Sequence, residues 1–317
     1  MRVVVTGAAG FVGRRLADEL RARGRLDGRP IDELVLVDRA FAQPPSPAAP
    51  IAIRHLSGDL GDASFARNLF AQPVDALFHL AATLTAEAER DFDQGLAVNL
   101  EGFVRLLEDC RRQGGLRLVF SSSMAAFGGV LPAMVPDEFP QRPTTSYGVQ
   151  KVIAELLLDD YTRRGFLDGR ALRLPVVLLR PKGSTALSEY ISAIVRDPLD
   201  GQNVVCPFSP ATRMPVASVG AVARGLIALY EMPSAALGAV RTVNLPSLSV
   251  TVEEMVAALA RRSGPAARQL IEWRGNPTMQ AMLDAMPQGF TSARAERAGI
   301  HAEADFDEVI GDYLAHR

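Results

Sequence analysis

Lysine is nearly absent from this chain. Of its 34 lysines and arginines only Lys151 and Lys182 are lysines, and 36 aspartates and glutamates oppose them. The resulting net charge of −2 at pH 7 leaves no basic excess to displace counterions, which argues against an electrostatic nucleic-acid binder. The arginines are scattered, and the short runs Arg14-Arg15 and Arg111-Arg112 read as solvated helix faces.

Cysteine is as scarce. Cys110 and Cys206 lie far apart at no metal-ligand spacing, so no disulfide framework is expected and both read as buried free thiols of a reducing cytosol. The four histidines His55, His79, His301 and His316 form no HxxxH or related cluster, and no metal is expected. No apolar run approaches the roughly 20 residues that a membrane span needs. The opening MRVVVTGAAG is too short and too glycine-rich for the apolar stretch of a signal peptide, and the expected location is cytoplasmic.

What is present is a regular alternation. The 317 residues, 48% hydrophobic and 22% charged, suffice for one large domain or two lobes around a substantial core. VVVT (3–6), LVLVD (34–38), IAIRH (51–55), DALFHLA (75–81), LRLVFSSS (116–123) and LRLPVVLLRP (172–181) are the strand candidates. Such fully apolar runs suit strands buried on both faces of a parallel sheet. Helical patterns fall at 11–23, 63–69, 87–112 and 147–164, with one more at about 216–230. QPPSPAAP (43–50) reads as a loop, because its prolines lack amide donors. The expected fold is α/β, a doubly wound parallel (Rossmann) sheet with a smaller C-terminal α/β lobe. Residues 1–178 and about 212–240 form the nucleotide-binding domain in this reading, and about 179–211 with 241–317 the substrate-binding lobe.

Gly7, Gly10 and Gly13 stand where the first strand hands over to the first helix. Glycine there lets backbone approach a pyrophosphate, and the helix N-terminus offers free amides and a positive dipole end. Their spacing is GxxGxxG rather than GxGxxG, so strand-before and helix-after carry the assignment. Asp38 ends the second strand, where such folds set an acid on the adenosine ribose; it favours NAD over NADP, against the neighbouring Arg39 and Arg14. Asp59-Leu60 follows the third strand, beside the adenine. His79-Leu80-Ala81-Ala82 ends the fourth, where small alanines would admit the cofactor and His79 reads as structural.

SYGVQK (146–151) spaces Tyr147 and Lys151 four apart, which sets both on one helix face. A free tyrosine, with a pKa of about 10, is a poor base; bringing it near 7 takes roughly 4 kcal/mol at 1.36 per unit. A neighbouring ammonium and an oxidised nicotinamide are expected to supply that. A compact ammonium can also bond ribose hydroxyls where a wide guanidinium fork cannot. Ser121, Ser122 and Ser123 end the fifth strand at the carboxyl edge where open α/β sheets bind ligands, and Ser123 is the candidate to hold the reacting oxygen.

Taken together, TGAAGFVG, Asp38, Asp59-Leu60, HLAA, Asn99 in VNLEG, FSSSMAAFG and SYGVQK resemble the extended short-chain dehydrogenase/reductases of the NAD-dependent epimerase/dehydratase fold. The resemblance implies a catalytic trio of Ser123, Tyr147 and Lys151. It implies a cofactor site of Gly7, Gly10, Phe11, Val12, Gly13, Asp38, Asp59, Leu60, Leu80, Ala81, Ala82, Asn99, Tyr147, Lys151 and Pro175. Met124-Ala125 after Ser123 replace the acid pair of dehydratases, and Phe127-Gly128 replaces the YG of sugar epimerases. AEAERDFDQGLAVNLEG, CPFSPATRMP, VNLPSLSVTVEEMV and Trp273 are similar instead to the D-erythronate dehydrogenase group. That implies oxidation of a small sugar acid at its C2 hydroxyl with NAD, the substrate touching Ser123, Tyr147, Thr83 and Thr85, and its carboxylate meeting Arg180 or Arg213. The alternatives are an epimerase that retains its NAD and a non-enzymatic cofactor sensor. The resemblance also implies a homodimer through helices 87–112 and 147–164.

Overall fold

The computed structural model describes residues 1–41, 51–183 and 187–316. The loop expected at 43–50 lies outside the described residues. The central sheet is built from β1 (Arg2–Thr6), β2 (Glu33–Asp38), β3 (Ala52–Ser57), β4 (Ala76–His79), β5 (Arg117–Ser123), β6 (Asp168–Leu174) and β7 (Thr242–Asn244). All pair in parallel, in the order 3-2-1-4-5-6-7. The order reverses between β1 and β4, and open α/β sheets bind ligands in the crevice beyond the carboxyl ends at that reversal.

The apolar strands explain the double winding. Val3, Val5, Leu34, Leu36, Ala76 and Phe78 pack into one core, while Val4, Val35, Val37, Leu77, Leu118 and Phe120 pack into another. Successive strand residues face opposite ways, so two apolar faces need two helix layers. Helices α1 (Phe11–Arg23) and α6 (Val219–Glu231) cover the first face; α2 (Ala63–Leu69), α3 (Gly102–Gln113) and α4 (Ser146–Arg163) cover the second.

A third core belongs to the smaller lobe. It lies between α5 (Leu187–Leu199), α7 (Val252–Ser263), α8 (Phe306–Ala315) and a three-stranded sheet of Val176–Val177, Arg213–Ala217 and Leu248–Thr251.

Three expectations are corrected. The sixth strand starts at Asp168, before the apolar run, and the run breaks at Pro175, whose missing amide ends the ladder; Val176–Val177 joins the other sheet. The helix expected at 87–112 divides into Thr85–Arg90, Phe92–Leu96, a π turn at Ala97–Glu101 and α3. The helix expected at 216–230 begins at Val219, because Val216 and Ala217 finish a strand and Ser218 caps the helix by accepting from the Ala221 amide at 3.0 Å. β7 completes the central sheet, and Ala295 and Ile300 pack into its core.

Candidate active site

The glycine turn and the end of β4 touch. Gly7 has φ +70°, and a Cβ there would lie 2.7 Å from the Ala81 amide nitrogen, so the absent side chain lets the turn lie against Leu80 and Ala81. A Cβ on Gly13 would lie 2.1 Å from the Gly7 carbonyl oxygen, so α1 also needs glycine to meet the turn. Gly10 takes the N-cap position of α1 with no side-chain cap, and the first turn carries no acid. The amides of Phe11 and Val12 therefore have neither an intrahelical nor a side-chain partner. This is the donor set that a dinucleotide's pyrophosphate requires, and the residues fit it.

Asp38 sits at the rim, accepting from the Ala9 amide at 2.9 Å and the Arg39 amide at 2.7 Å. The Gly58 amide donates to the Asp38 carbonyl at 2.9 Å, which draws the Asp59-Leu60 loop beside it. Asp59 turns that loop by accepting from Gly61 at 2.7 Å. Arg14 and Arg39 are exposed.

His79 joins the turn to the serine strand. Its Nδ1 shares a 2.7 Å hydrogen bond with Thr6 Oγ1, and its carbonyl accepts from Ser121 Oγ at 3.3 Å. Its ring stacks on Phe103 and Phe120. Burial, then the Lys151 charge, push its pKa down to about 3, so it is neutral and structural.

Tyr147 and Lys151 lie on the first turns of α4, both buried. Thr145 caps this helix by accepting from the Gly148 amide at 3.0 Å, and Glu89 accepts from the Ser146 amide at 2.6 Å. A Cβ on Gly148 would lie 2.1 Å from the Ala125 carbonyl oxygen, so the helix start packs directly on the turn that follows Ser123. Ser123 Oγ accepts from the Ala125 amide at 3.2 Å and lies near enough to the Tyr147 phenol to lower its pKa. The Lys151 ammonium donates to the Ser121 carbonyl at 2.8 Å and lies 4.4 Å from the Phe120 ring centroid and 5.5 Å from that of Tyr147. The fold brings the three predicted residues together.

Their charge states depart from expectation. Burial pushes the Tyr147 phenol up to about 12, with the nearby Ser123 hydroxyl pulling the other way. Burial also pulls Lys151 down to about 7. Dehydration of both groups outweighs their attraction, so the chain's own charges do not bring the phenol toward neutrality.

Asn99 is buried inside the π turn. Its amide accepts from the Thr83 amide at 2.8 Å and donates to the Thr83 carbonyl at 3.0 Å and to Gln150 Oε1 at 2.7 Å. It thereby ties the segment after β4 to α4; a π turn is a frequent device at functional sites. Thr85 opens the next short helix.

The two candidate arginines differ. Arg213 donates to the Ser249 carbonyl at 2.8 Å and pairs with Glu254 at 3.5 Å. Arg180 makes no ion pair among the described residues: it donates to Ser188 Oγ at 2.6 Å and lies 5.7 Å over the ring of Phe11, at the start of α1. Leu179 before it holds a left-handed φ of +59°, a strained conformation for a branched side chain.

Several supporting residues escaped sequence reasoning. Gly148 and Gln150 lie within SYGVQK and went unread, and Glu155 and Arg173 form a buried ion pair at 2.8 Å beneath the trio. Glu155 follows Lys151 by four residues, a spacing that was legible. Arg173 carried no such signal.

The profile of the NAD dependent epimerase/dehydratase family matches residues 3–244. The chain is 42% identical to the D-erythronate dehydrogenase of Cupriavidus necator, over 99% of this chain and 98% of the relative. It is 35% identical to the D-erythronate dehydrogenase of Haemophilus influenzae, over 100% of this chain and 99% of the relative. A nucleoside-diphosphate-sugar epimerase structure from Agrobacterium tumefaciens superposes with a TM-score of 0.95 at 38% identity, over 100% of this chain and 94% of that one. The family match, the full-length identity and the shared fold agree: the chain is an oxidoreductase belonging to the NAD dependent epimerase/dehydratase family.

Proposed function

We propose that this chain oxidises the C2 hydroxyl of a small sugar acid, D-erythronate or a similar aldonate, to the 2-oxo acid, with NAD as acceptor. The observation that carries the reading is the buried Lys151 ammonium 5.5 Å from the Tyr147 ring centroid, at the end of the strand that presents Ser123. Tyr147 removes the proton of the C2 hydroxyl, and Ser123 holds the same oxygen. Lys151 opposes the negative charge that develops on the phenol. General-base help of this kind contributes about 10² to 10⁴ in rate.

Bound NAD supplies the acceptor for the hydride. The amides of Phe11 and Val12 would hold its pyrophosphate, with Gly7, Gly10 and Gly13 shaping the turn. Asp38 would hold the adenosine ribose and disfavour a 2′-phosphate, Asp59 and Leu60 the adenine. Leu80, Ala81, Ala82, Asn99 and Pro175 would border the nicotinamide side, where Lys151 and Tyr147 meet its ribose. Arg180 takes the substrate carboxylate, because among the described residues it forms no ion pair whereas Arg213 pairs with Glu254. Thr83 and Thr85 border the substrate.

The enzyme acts in the cytoplasm as a homodimer. The exposed apolar side chains Phe92, Val149 and Leu156, on and beside α4, form the pairing face. Among the described residues no helix is long and apolar enough to cross a membrane.

The test is a screen of four- and five-carbon sugar acids with NAD and NADP, read as the near-ultraviolet absorbance of the reduced nucleotide. Stoichiometric NADH formation with a free aldonate is expected. An epimerase, the activity named for the Agrobacterium structure, would convert its substrate without net NADH. Tyr147→Phe is expected to abolish turnover while NAD still binds; substantial residual oxidation by that variant overturns the assignment.

A further inference from the structure

The reacting face of α4 continues past Lys151. Glu155 stands one helical turn further on and is 2% exposed. Three elements converge on its carboxylate. Ser122 Oγ, next to Ser123 at the end of β5, donates to it, as does Gln141 Nε2 from the segment before α4. Arg173 of β6 donates through Nε at 3.1 and 3.2 Å and through Nη2 at 2.8 Å.

Arg173 is itself fixed from behind. Its Nη1 donates to the Asp137 carbonyl at 3.1 Å and to Asn244 Oδ1 at 3.3 Å, and its guanidinium lies 4.9 Å over the Phe127 ring. The Asp137 carboxylate accepts from the Asn244 amide at 2.7 Å, Ser292 Oγ at 2.7 Å and Arg294 Nε at 3.1 Å. Glu155 thus occupies one defined position, held by a network that reaches into the C-terminal segment.

Lys151 lacks such a network. Its ammonium bonds only a neutral acceptor, the Ser121 carbonyl, and otherwise meets two aromatic faces. Among the described residues it forms no ion pair within 4 Å. The titratable groups around it are Tyr147 and Glu155 on its own helix and His79 from β4; Arg173, Asp137 and Asp159 lie behind Glu155. Of the groups that face it, Glu155 alone carries a negative charge opposing its dehydration. A dehydrated ammonium with no counter-charge gives up its proton.

We propose that Glu155 is a positioning residue of the active site: it sustains the positive charge of Lys151 and, through Ser122, anchors the strand end that presents Ser123. The inference rests on Ser123, Tyr147 and Lys151 being the reacting trio. Arg173, Gln141 and Ser122 serve to hold the carboxylate there, and the charge is felt through space by a lysine it does not touch.

The scarcity of lysine makes the test direct. Protein labelled with [ε-¹³C]lysine gives two signals, Lys151 and Lys182, and the half-exposed Lys182 serves as the internal reference. The titration midpoint of Lys151 is expected well below that of Lys182. Glu155→Gln is expected to lower the Lys151 midpoint further, by about one pH unit, at the low end of the effect of a nearby opposite charge. Glu155→Asp is expected to recover part of that shift.

Removing one partner of a buried pair leaves the other uncompensated and endangers folding. The double variant E155Q/R173Q removes both charges; it is expected to fold and to keep the lowered Lys151 midpoint. In parallel, kcat near neutral pH is expected to fall about tenfold, with its pH profile displaced and the substrate KM within about twofold, a smaller loss than the roughly 10² to 10⁴ of removing a general base outright. An unchanged Lys151 midpoint in either folded variant overturns the proposal and leaves Glu155 a packing residue. The titration reads the lysine without substrate. A failure of the trio itself registers separately, as turnover by Tyr147→Phe while the Lys151 midpoint still follows Glu155.

Discussion

Two helices begin at the edge of the same sheet and are finished in opposite ways. At the start of α1 the cap is Gly10, with no capping side chain and no acid in the first turn. At the start of α4 the Thr145 hydroxyl takes the Gly148 amide and Glu89 takes the Ser146 amide. The first leaves its amides and dipole free to meet an anion; the second satisfies its amides internally and so holds Tyr147 and Lys151 still. A binding terminus gives up local stability that a positioning terminus keeps.

His79 is the joint between the two, bonded to Thr6 before the glycine turn and to Ser121 before the reacting serine. Its folded pKa of about 3 lies below the ordinary 6.5, so the unfolded chain takes up a proton first on acidification. Stability is therefore lost as pH falls from about 6.5 toward 3, by on the order of 5 kcal/mol, and regained in reverse. The urea midpoint of the wild type is expected to drop further between pH 7 and pH 4 than that of His79→Asn. Equal losses in both would remove His79 from this role.

Adding one methyl to each helix start should separate their functions. With its Cβ 2.1 Å from the Ala125 carbonyl, Gly148→Ala is expected to cost about 1–3 kcal/mol and to lower kcat with little change in NAD affinity. Gly13→Ala meets the Gly7 carbonyl at the same distance, and its main loss should appear in NAD binding measured by calorimetry. If both variants lost the same property, the contrast between the two termini would collapse.

The smallest effects test the caps themselves. Thr145→Ala is expected to lower unfolding stability by about 1 kcal/mol, the usual worth of an N-cap. Gly10→Ser supplies the cap that α1 lacks; stability should change by only a few tenths of a kcal/mol while NAD binding weakens. Denaturant titration and calorimetry on the same samples read both quantities.

Much of this arrangement was legible in the chain. Strands β1 to β5 follow their apolar runs to within two residues, and α1 and α2 end where their patterns end. Three of the misreadings share one cause: buried polar residues mask an element. DGRALRL forms β6 although Arg170 stands in its middle, because the guanidinium is fully buried and donates to the Leu229 and Tyr230 carbonyls at 2.6 and 2.7 Å. Likewise β7 is a three-residue strand ending in Asn244, whose amide side chain bonds the Val135 carbonyl at 3.0 Å. No local pattern announces a polar strand whose partners lie tens of residues away. The π turn at Ala97–Glu101 escaped for a related reason, since Asn99 is held there by Thr83 and Gln150.

By itself the sequence determined a parallel sheet with two apolar faces, a glycine turn at an uncapped helix start, and a tyrosine and lysine on one face of one helix. These follow from residue periodicity and backbone sterics, which act over a few residues. Tertiary structure alone decided that Ser123 meets Tyr147, that Glu155 stands locked beneath Lys151, and that burial shifts the phenol up and the ammonium down. A proton's affinity depends on the water excluded and the charges gathered around it, and both are set by segments that are neighbours only after folding.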